Sequence, residues 1–358
     1  MRILYGIQGT GNGHLARARA LVPALRECGL DVDFVFSGRA REDYFNMELF
    51  ADFACYRGLS LITERGQLKH WQTLRRNNGW EFHRDMRGVR AADYDLIISD
   101  FEPVTAWAAR LARVPSVGIS HQNAFRYAVP KVRGYAGSRV LLNYFAPTDV
   151  QVGLHWHHFN QPVLPPLIEP LAGKRVTGNK ILVYMGFEAV DEIVDFVRAF
   201  TEFDFFIYAK VSAPQDHGHV QVRPLSHREF HEDLTDCAGV IANAGFELAS
   251  ECLALGKKLL VKPLLGQYEQ LCNALALQAM NRGTVIESLD QAVLEKWLSL
   301  ASHQPIPYPN VALALAKWIK DDRQLRLEEL AESLWGGLEL PVEYDRRFGR
   351  SLMPGLIY

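Results

Sequence analysis

The sequence predicts an α/β protein built from two doubly wound, Rossmann-like domains that face each other across a cleft. Its 358 residues suit two domains of ordinary size. Short apolar runs alternate with segments of helical periodicity, which is typical of βαβ units and parallel sheets. A stretch rich in proline and glycine at 163–179 separates two such series. We therefore predict a first domain at 1–162, a linker at 163–179, a second domain at 180–311 and a helical tail at 312–358.

The elements of the first domain follow from its apolar runs. Between the first two runs, Leu15–Cys28 has alanines at helical spacing, and Gly29 follows where a helix C-cap is expected. The predicted strands are Ile3–Ile7, Val32–Phe36, Leu96–Ser99, Ser116–Ile119 and Val150–Leu154.

The same alternation resumes after the linker. The predicted strands are Ile181–Met185, Phe205–Ala209, Gly239–Ala242, Leu259–Val261 and Thr284–Ile286. The predicted helices are Val190–Phe200, Arg228–Cys237, Phe246–Leu255 and Tyr268–Asn281. The tail is rich in Ala, Leu and Lys, so we predict a helix over Ala312–Leu334.

Composition excludes several classes of protein. Hydrophobic residues make up 48% of the chain, which excludes a disordered or fibrous chain. The net charge of −2 argues against a general nucleic-acid binder. The five cysteines include no C-x-x-C pair, so neither a disulfide framework nor a zinc site is indicated, and a reducing cytoplasm is expected. The chain has no apolar run of about 18 residues, the length of a membrane span.

A glycine-rich loop, Gly9-Thr10-Gly11-Asn12-Gly13-His14, follows the first predicted strand and leads into a helix. Such a loop lets a ligand approach the backbone closely, and a helix N-terminus presents unpaired N–H groups. The spacing differs from the dinucleotide pattern G-x-G-x-x-G, so a dehydrogenase is disfavoured. We predict an acceptor-side role for Gly11, Asn12 and Gly13; the alternative is a plain tight turn.

His14 and Asp100 are candidate partners in this cleft. Asp100 follows the strand Leu96–Ser99, and the carboxyl ends of parallel strands meet at one edge of the sheet. A carboxylate that binds an imidazole orients it as a general base. The alternatives are that His14 is a structural cap and that Asp100 caps the helix beginning near Pro103. His121, after the next strand, is a further acceptor-side candidate.

The most informative stretch begins where the strand Gly239–Ala242 ends and a helix opens. Gly245 allows close approach to the backbone, and the helix N-terminus suits a phosphate group. Glu247 and Glu251 lie four residues apart on one helix face and repel each other unless each has its own partner. Glu269 and Gln270 open the next helix with several hydroxyl-binding atoms. Together these groups predict a polyol-phosphate pocket; the alternative is ordinary helix-start chemistry.

The stretch from Ala244 to Ala274 resembles the nucleotide-sugar motif of GT-B-fold glycosyltransferases, and it is most similar to the MurG-like branch. The loop from Gly9 to Arg17 resembles the acceptor loop of that branch. The resemblance implies that Glu251 binds the ribose, that Glu269 and Gln270 bind the transferred sugar, and that His14, paired with Asp100, is the acceptor base. The resemblance also places the nucleobase or the diphosphate of the donor beside Gly186, Leu225, Ala244, Gly245 and Phe246.

The implied function is transfer of a sugar from a nucleoside-diphosphate sugar, expected to be a UDP-sugar, to a hydroxyl acceptor. Helix N-termini would stabilise the leaving diphosphate, so neither a metal nor a cofactor is expected, and a base at His14 favours inversion. The patterns Asp31-Val32-Asp33 and Asp93-Tyr94-Asp95 resemble a metal-binding D-x-D but lie at strand starts. The C-terminal helices are expected to pack back on the first domain, as the fold implies.

Two departures from the MurG pattern bear on the substrates. Glu269 replaces the first glutamine of a pair, which argues against N-acetylglucosamine as the donor sugar, and the acceptor loop lacks the MurG-type proline, which argues against a muropeptide acceptor. The alternatives are a nucleotide-sugar 2-epimerase of the same fold, a non-catalytic binding homologue and, weakest, a dehydrogenase.

The two halves of the chain differ strongly in charge. Residues 1–160 carry a net charge of +5 and residues 161–358 a net charge of −7. Between Pro103 and Thr148 there are six basic residues and no acid, and basic and aromatic residues also alternate over 69–80. This pattern predicts either a surface for an anionic or lipid-linked acceptor, with peripheral membrane contact, or an ordinary solvated face.

Overall fold

A computed structural model of the chain describes residues 1–59, 63–64, 67–68, 78–132, 142–170, 178–338 and 340. It contains two sheets dominated by parallel pairing, which confirms the predicted fold class. The first sheet has six strands in the order β3-β2-β1-β6-β7-β8, all parallel. The strands of this half are β1 (Arg2–Gln8), β2 (Asp31–Ser37), β3 (Phe53–Tyr56), the short antiparallel pair β4 (Thr63–Glu64) and β5 (Gln67–Leu68), β6 (Leu96–Asp100), β7 (Ser116–Ser120) and β8 (Val150–Gly153).

The second sheet has seven strands in the order β11-β12-β10-β9-β13-β14-β15, of which β11 alone is antiparallel to its neighbour. Its strands are β9 (Lys180–Tyr184), β10 (Asp204–Ala209), β11 (Gln215–Asp216), β12 (Val220–Pro224), β13 (Gly239–Asn243), β14 (Lys258–Lys262) and β15 (Thr284–Val285).

Helices connect the strands on both sides of the sheets. In chain order they are α1 (Asn12–Glu27), α2 (Gly79–Gly88), α3 (Pro103–Ala112), α4 (His121–Ala124), α5 (Val190–Val197), α6 (His227–Asp236), α7 (Phe246–Leu255), α8 (Tyr268–Ala279), α9 (Gln291–Leu298), α10 (Val311–Lys320) and α11 (Leu327–Trp335). Three short 3-10 turns are added at Arg41–Asp43, Glu48–Phe50 and Ala91–Asp93.

Strand order places the cleft. In the first sheet β1 lies between β2 and β6, and in the second β9 lies between β10 and β13. The chain therefore reverses its winding direction beside β1 and beside β9, and ligands of such sheets bind where these strands end. The loops that leave β1, β6, β9 and β13 carry the glycine loop, Asp100, Gly186 and Gly245.

Every strand predicted from an apolar run is present to within two residues. The sequence analysis missed the four-residue strand β3, the partly polar strand β12, and the two-residue strands β4, β5 and β11. The predicted helix over Ala312–Leu334 was wrong as a single element, because Asp322 and Arg323 have φ values of 51° and 58° and separate α10 from α11. Left-handed backbone at consecutive residues ends a right-handed helix.

The C-terminal helices pack back on the first domain, as predicted. Helix α10 lies against α1, and Leu315 and Ile319 are fully buried. In α11 the Trp335 indole N–H donates to the carbonyl of Val163 at 2.6 Å. Val163 itself belongs to the buried core, although it falls within the predicted linker; residues 171–177 of that linker lie outside the described residues.

Among the described residues, no helix is long and apolar enough to cross a membrane. All five cysteines are free thiols, and four of them are buried. Burial raises the pKa of Cys237 to about 11, so these thiols serve as packing groups.

Candidate active site in the interdomain cleft

His14 and Asp100, 86 residues apart in sequence, meet at the mouth of the cleft. The Nδ1 atom of His14 lies 2.8 Å from Oδ1 of Asp100. The carboxylate is fully buried, whereas the imidazole is 13% exposed. If Nδ1–H donates to this carboxylate, the lone pair lies on Nε2, which is the tautomer that a general base needs.

The helix after Asp100 is capped by a different carboxylate. Glu102 accepts from the backbone N–H groups of Val104 and Thr105 at 2.8 and 2.7 Å, and it also accepts from the hydroxyls of Ser37 and Thr105. Phe101, between the two acids, has a φ of 50° and turns the chain between them. The capping role considered for Asp100 therefore belongs to Glu102, and Asp100 is left to contact side chains of α1.

The sequence analysis did not identify Arg17, the residue at the centre of this cluster. Arg17 is 2% exposed and donates from Nη1 to Asp100 Oδ1 at 2.9 Å. Its Nε and Nη2 lie 2.8 and 2.7 Å from Oε1 of Glu247 in the second domain. Burial raises the pKa of Glu247 to about 8, against the opposite effect of the Arg17 charge. The sequence feature that could have identified Arg17 is its position three residues after His14, because this spacing puts both side chains on one helix face.

The glycine loop is pressed against the second domain. A Cβ atom at Gly13 would lie 3.1 Å from Cγ of Glu247, so a larger residue would require the Glu247 side chain to shift. Asn12 donates to the Tyr184 hydroxyl of β9 at 3.1 Å and accepts from Arg39. Gly11 faces open space and leaves α1 without a side-chain cap.

His121 is placed differently from the acceptor-side position expected for it. The side chain is fully buried between the domains, with Nδ1 2.8 Å from the carbonyl of Leu154 and Nε2 2.6 Å from Oδ1 of Asn273. Its ring stacks on Phe246 at 3.8 Å. Both nitrogens are thus engaged by the protein in this conformation, and the residue packs the domain interface.

The N-terminus of α7 faces the cleft with free backbone amides. Gly245 is its N-cap, contributes no side-chain cap, and would tolerate a Cβ in open space. Ala244 and the Phe246 ring are buried, so at these positions the backbone is what a ligand could reach. The N–H of Gly245 itself donates to the carbonyl of Asn243 at 2.8 Å, so the free N–H groups are those of the first turn of α7. Together with the partial positive charge of the helix end they suit an anion.

Glu247 and Glu251, on one face of α7, each have their own cationic or polar partner. Glu247 pairs with Arg17, and Glu251 Oε1 lies 3.3 Å from Nε2 of His231 on α6. Burial lowers the pKa of His231, but the hydrogen bond to Glu251 and the charges of Glu251 and Glu169 raise it to about 9. The mild repulsion expected between the two acids is therefore offset by separate partners.

His231 also belongs to the one group of described residues that could hold a metal ion. Glu169, His227 and His231 bring one ligand atom each to within 4.8 Å of one another, and the two histidines have the i, i+4 spacing of helical metal sites. In the structure His227 Nε2 lies 3.1 Å from Glu169. The arrangement equally forms two ion pairs, His227 with Glu169 and His231 with Glu251.

The remaining donor-side candidates lie around the same cleft. Glu269 accepts from Nε2 of Gln122 at 2.9 Å, across the domain boundary. Gln270 is buried and accepts from the Leu264 backbone, so it shapes the loop after β14. Gly186 is exposed after β9, and Leu225 is half-buried just after β12.

The two D-x-D patterns lie at the opposite end of the first sheet. Asp33 pairs with the Arg2 side chain at 2.9 Å, and Asp95 accepts from the Arg2 backbone at 2.7 Å. Both therefore surround the start of β1, whereas His14 follows its end.

Comparison with known proteins agrees with this layout. The model of glycosyl transferase family 1 matches residues 1–301, which is most of the chain. The chain belongs to this family. None of the curated protein sequences matches it significantly.

Solved glycosyltransferases share the fold of this family member. The kitacinnamycin glycosyltransferase has a TM-score of 0.57 at 15% identity, covering 93% of this chain and 97% of that one. SsfS6 from Streptomyces sp. SF2575, complexed with thymidine diphosphate, has a TM-score of 0.56 at 11% identity, covering 94% and 99%. MurG from Acinetobacter baumannii has a TM-score of 0.50 at 13% identity, covering 94% and 99%. The protein is thus a glycosyltransferase with the GT-B fold.

Proposed function

We propose that this glycosyltransferase moves a sugar from a nucleoside-diphosphate sugar to an acceptor hydroxyl, with inversion and without a metal. The observation that carries the proposal is the His14–Asp100 pair, which lies across the closed cleft from the uncapped N-terminus of α7. The first supplies a base for the acceptor, and the second supplies fixed positive potential for the leaving diphosphate.

In the proposed reaction the acceptor oxygen attacks the anomeric carbon while the bond from that carbon to the diphosphate oxygen breaks. The acceptor proton passes to Nε2 of His14, and the imidazolium is stabilised by the buried Asp100. Negative charge develops on the diphosphate, beside the free amides in the first turn of α7. Displacement from the opposite face gives inversion.

We further propose that Glu251 binds the ribose and that the backbone near Leu225 contacts the nucleobase. Glu251 is 7% exposed on α7, one turn and a half from the anion site, which suits a ribose attached to the diphosphate. The expected nucleotide is UDP, but the thymidine diphosphate bound to SsfS6 makes dTDP the nucleotide to compare with it.

The test is incubation of the purified protein with a UDP-sugar or a dTDP-sugar, with and without a panel of hydroxyl acceptors. The proposal predicts nucleoside diphosphate release that depends on an acceptor and yields a glycoside of opposite anomeric configuration. It also predicts full activity in EDTA. Conversion of the donor sugar to its 2-epimer without any acceptor would show the epimerase instead.

A second proposal concerns the basic first domain, which we propose meets an anionic membrane surface. Helices α2 and α3 pack side by side and form a groove that contains His83, Arg87 and Leu111. Leu111 is 60% exposed, and Trp80 at the start of α2 is 73% exposed. Exposed apolar groups beside cations suit the headgroup region of an anionic bilayer. Residues 69–77, Arg133 and Arg139, also singled out from the sequence, lie outside the described residues.

Liposome co-sedimentation tests this second proposal. Binding is expected with anionic vesicles, with loss in high salt and weakening in Leu111→Glu. The matched control is Leu300→Glu, because Leu300 is similarly exposed, at 52%, but belongs to the second domain. Absence of binding at every salt concentration would exclude the membrane surface.

A further inference from the structure

One buried guanidinium joins the two domains through the candidate catalytic pair. Arg17 lies on α1, one turn after His14, and is 2% exposed. Its Nη1 donates to Asp100 of the first domain, and its Nε and Nη2 reach one carboxylate oxygen of Glu247 in the second. The same side chain therefore contacts the end of β6 and the start of α7, on opposite sides of the cleft.

The contacts of Arg17 are interdependent. Asp100 Oδ1 lies 2.8 Å from His14 and 2.9 Å from Arg17, so one oxygen atom is shared by both. A buried cation is tolerated only when it is paired and hydrogen-bonded. If Glu247 moves away when the cleft opens, Arg17 loses its partner in the second domain and is held by Asp100 alone. Asp100 is then free to reorient with Arg17, and the His14 ring that Asp100 binds reorients with it.

The charges of the cluster change with pH. Arg17 carries one positive charge and faces two carboxyl groups, Asp100 and Glu247. Burial raises the pKa of Glu247 to about 8, so near neutral pH this group is largely protonated and Asp100 is the anionic partner of Arg17.

A second arginine on α1 makes its described hydrogen bonds within the first domain. Arg19 is also buried, but its Nη2 donates to the carbonyls of Phe45 and Asn46, both in the first domain. The helix thus carries one guanidinium that braces its own domain and one that crosses the cleft.

We propose that Arg17 is a positioning residue that links closure of the domains to the orientation of the base: it binds Glu247 only when the cleft is closed, and through Asp100 it then fixes the His14 ring. The catalytic part of this inference rests on the proposed function, whereas the link between the domains does not.

Distance measurement between the domains tests the link without any substrate. Nitroxide labels are attached at the exposed positions Ala92→Cys and Lys296→Cys, in a background in which Cys55, the least buried native thiol, is Ser. The parent protein should show a narrow distribution at the separation of the closed structure. Arg17→Met should move the main population to longer or broader distances, and Arg19→Met should not.

Glu247→Met guards against a misfolded Arg17 variant, because it keeps the approximate size of the side chain, removes the oxygen that accepts from Arg17, and leaves the contact between Arg17 and Asp100 in place. It should lengthen the distance in the same way, and the double variant should add nothing further. Folded Arg17→Met and Glu247→Met proteins that both keep the parent distribution would overturn the link.

The kinetic readout separates positioning from a purely structural role. With a donor and acceptor that turn over, Arg17→Met should lower kcat at least tenfold while the dissociation constant of UDP changes less than threefold. A change in UDP affinity with kcat unaltered would contradict positioning. If no nucleoside diphosphate binds the parent protein at all, the proposed function fails, yet the distance result still decides whether Arg17 links the domains.

Discussion

At the residue scale, a histidine and an aspartate from different elements form the pair on which the proposed chemistry depends. Asp100 is fully buried at 2.8 Å from His14, while Glu102 takes over the capping of α3. The sequence could predict the pair, because both residues follow strands whose ends meet at one sheet edge. It left the capping role open, since Asp100 and Glu102 both precede Pro103 closely.

Replacement of His14 by Ala should lower turnover by about 10²–10⁴-fold, the usual contribution of a general base. Binding of the nucleoside diphosphate should remain nearly unchanged, because His14 contacts Asp100 on the opposite side of the cleft from α7. Steady-state kinetics at saturating acceptor, with calorimetry for UDP, checks both. His217→Ala, which removes an exposed histidine between β11 and β12, is the control. Unchanged turnover in His14→Ala would exclude the base.

His231 should make stability depend on pH. Its pKa is raised to about 9 in the folded protein by Glu251 and Glu169, from an ordinary value of about 6.5, and His227 is its other titratable neighbour. The stabilisation is complete below pH 6.5 and is lost as the pH rises through 9. After discounting for partial exposure it amounts to about 2 kcal/mol.

Urea unfolding at pH 6 and pH 9.5 measures this effect. The parent protein should lose stability over that interval relative to His231→Gln, in which the imidazole is absent. If the free energy of unfolding depends on pH in the same way in both proteins, the ion pair with Glu251 contributes nothing to stability.

Residues whose partners come from distant elements could not be identified from the sequence. Arg17 was named only as the end of the acceptor loop, because nothing in the sequence indicates that Glu247 would lie 2.7 Å away in the other domain. Glu169 and His231 escaped for the same reason, since their cluster forms only when the chain after β8 returns to α6. His121 was placed by its position after β7, but its burial depends on Phe246 and Asn273.

At the element scale, the strand–loop–helix units are what the sequence predicts best. Continuous apolar runs such as Ile3–Ile7 became buried central strands. Strand β12 was not predicted because its residues alternate between apolar and polar. The loop after it was recognised only by resemblance. The break between α10 and α11 was missed because it contains neither proline nor glycine.

The N-terminus of α7 offers a prediction in which stability and binding change in opposite directions. Gly245→Asp should cap the helix and stabilise the free protein by roughly a few tenths of a kcal/mol, because glycine is already a tolerated N-cap. The same carboxylate would occupy the free amides and repel a diphosphate, so UDP affinity should fall at least tenfold.

Gly245→Ala is the matched control, because its added methyl group meets no atom within 4 Å and brings no charge. Thermal unfolding measures the first effect and calorimetry the second. Tight UDP binding by Gly245→Asp would mean that the diphosphate does not lie at this helix.

At the scale of the whole molecule, the two halves of the chain differ in charge and form the two sheets that face the cleft. The first half carries a net charge of +5 and the second half a net charge of −7, although the anionic diphosphate is expected to bind the second half. The free amides in the first turn of α7, rather than net charge, are therefore the groups proposed to hold the donor. The domain arrangement itself, closed by Arg17 and the stack of His121 on Phe246, could not be read from the sequence.

The most direct test of the account is calorimetric titration of the protein with UDP, dTDP and NAD in EDTA. The account predicts that UDP binds, that a concentration of 100 times its Kd stabilises the protein by about 2.7 kcal/mol, and that Glu251→Ala weakens the binding at least tenfold. dTDP binding more tightly than UDP would change the donor base but keep the site. Binding of NAD alone, or UDP affinity unaffected by both Glu251→Ala and Gly245→Asp, would contradict the proposed donor site.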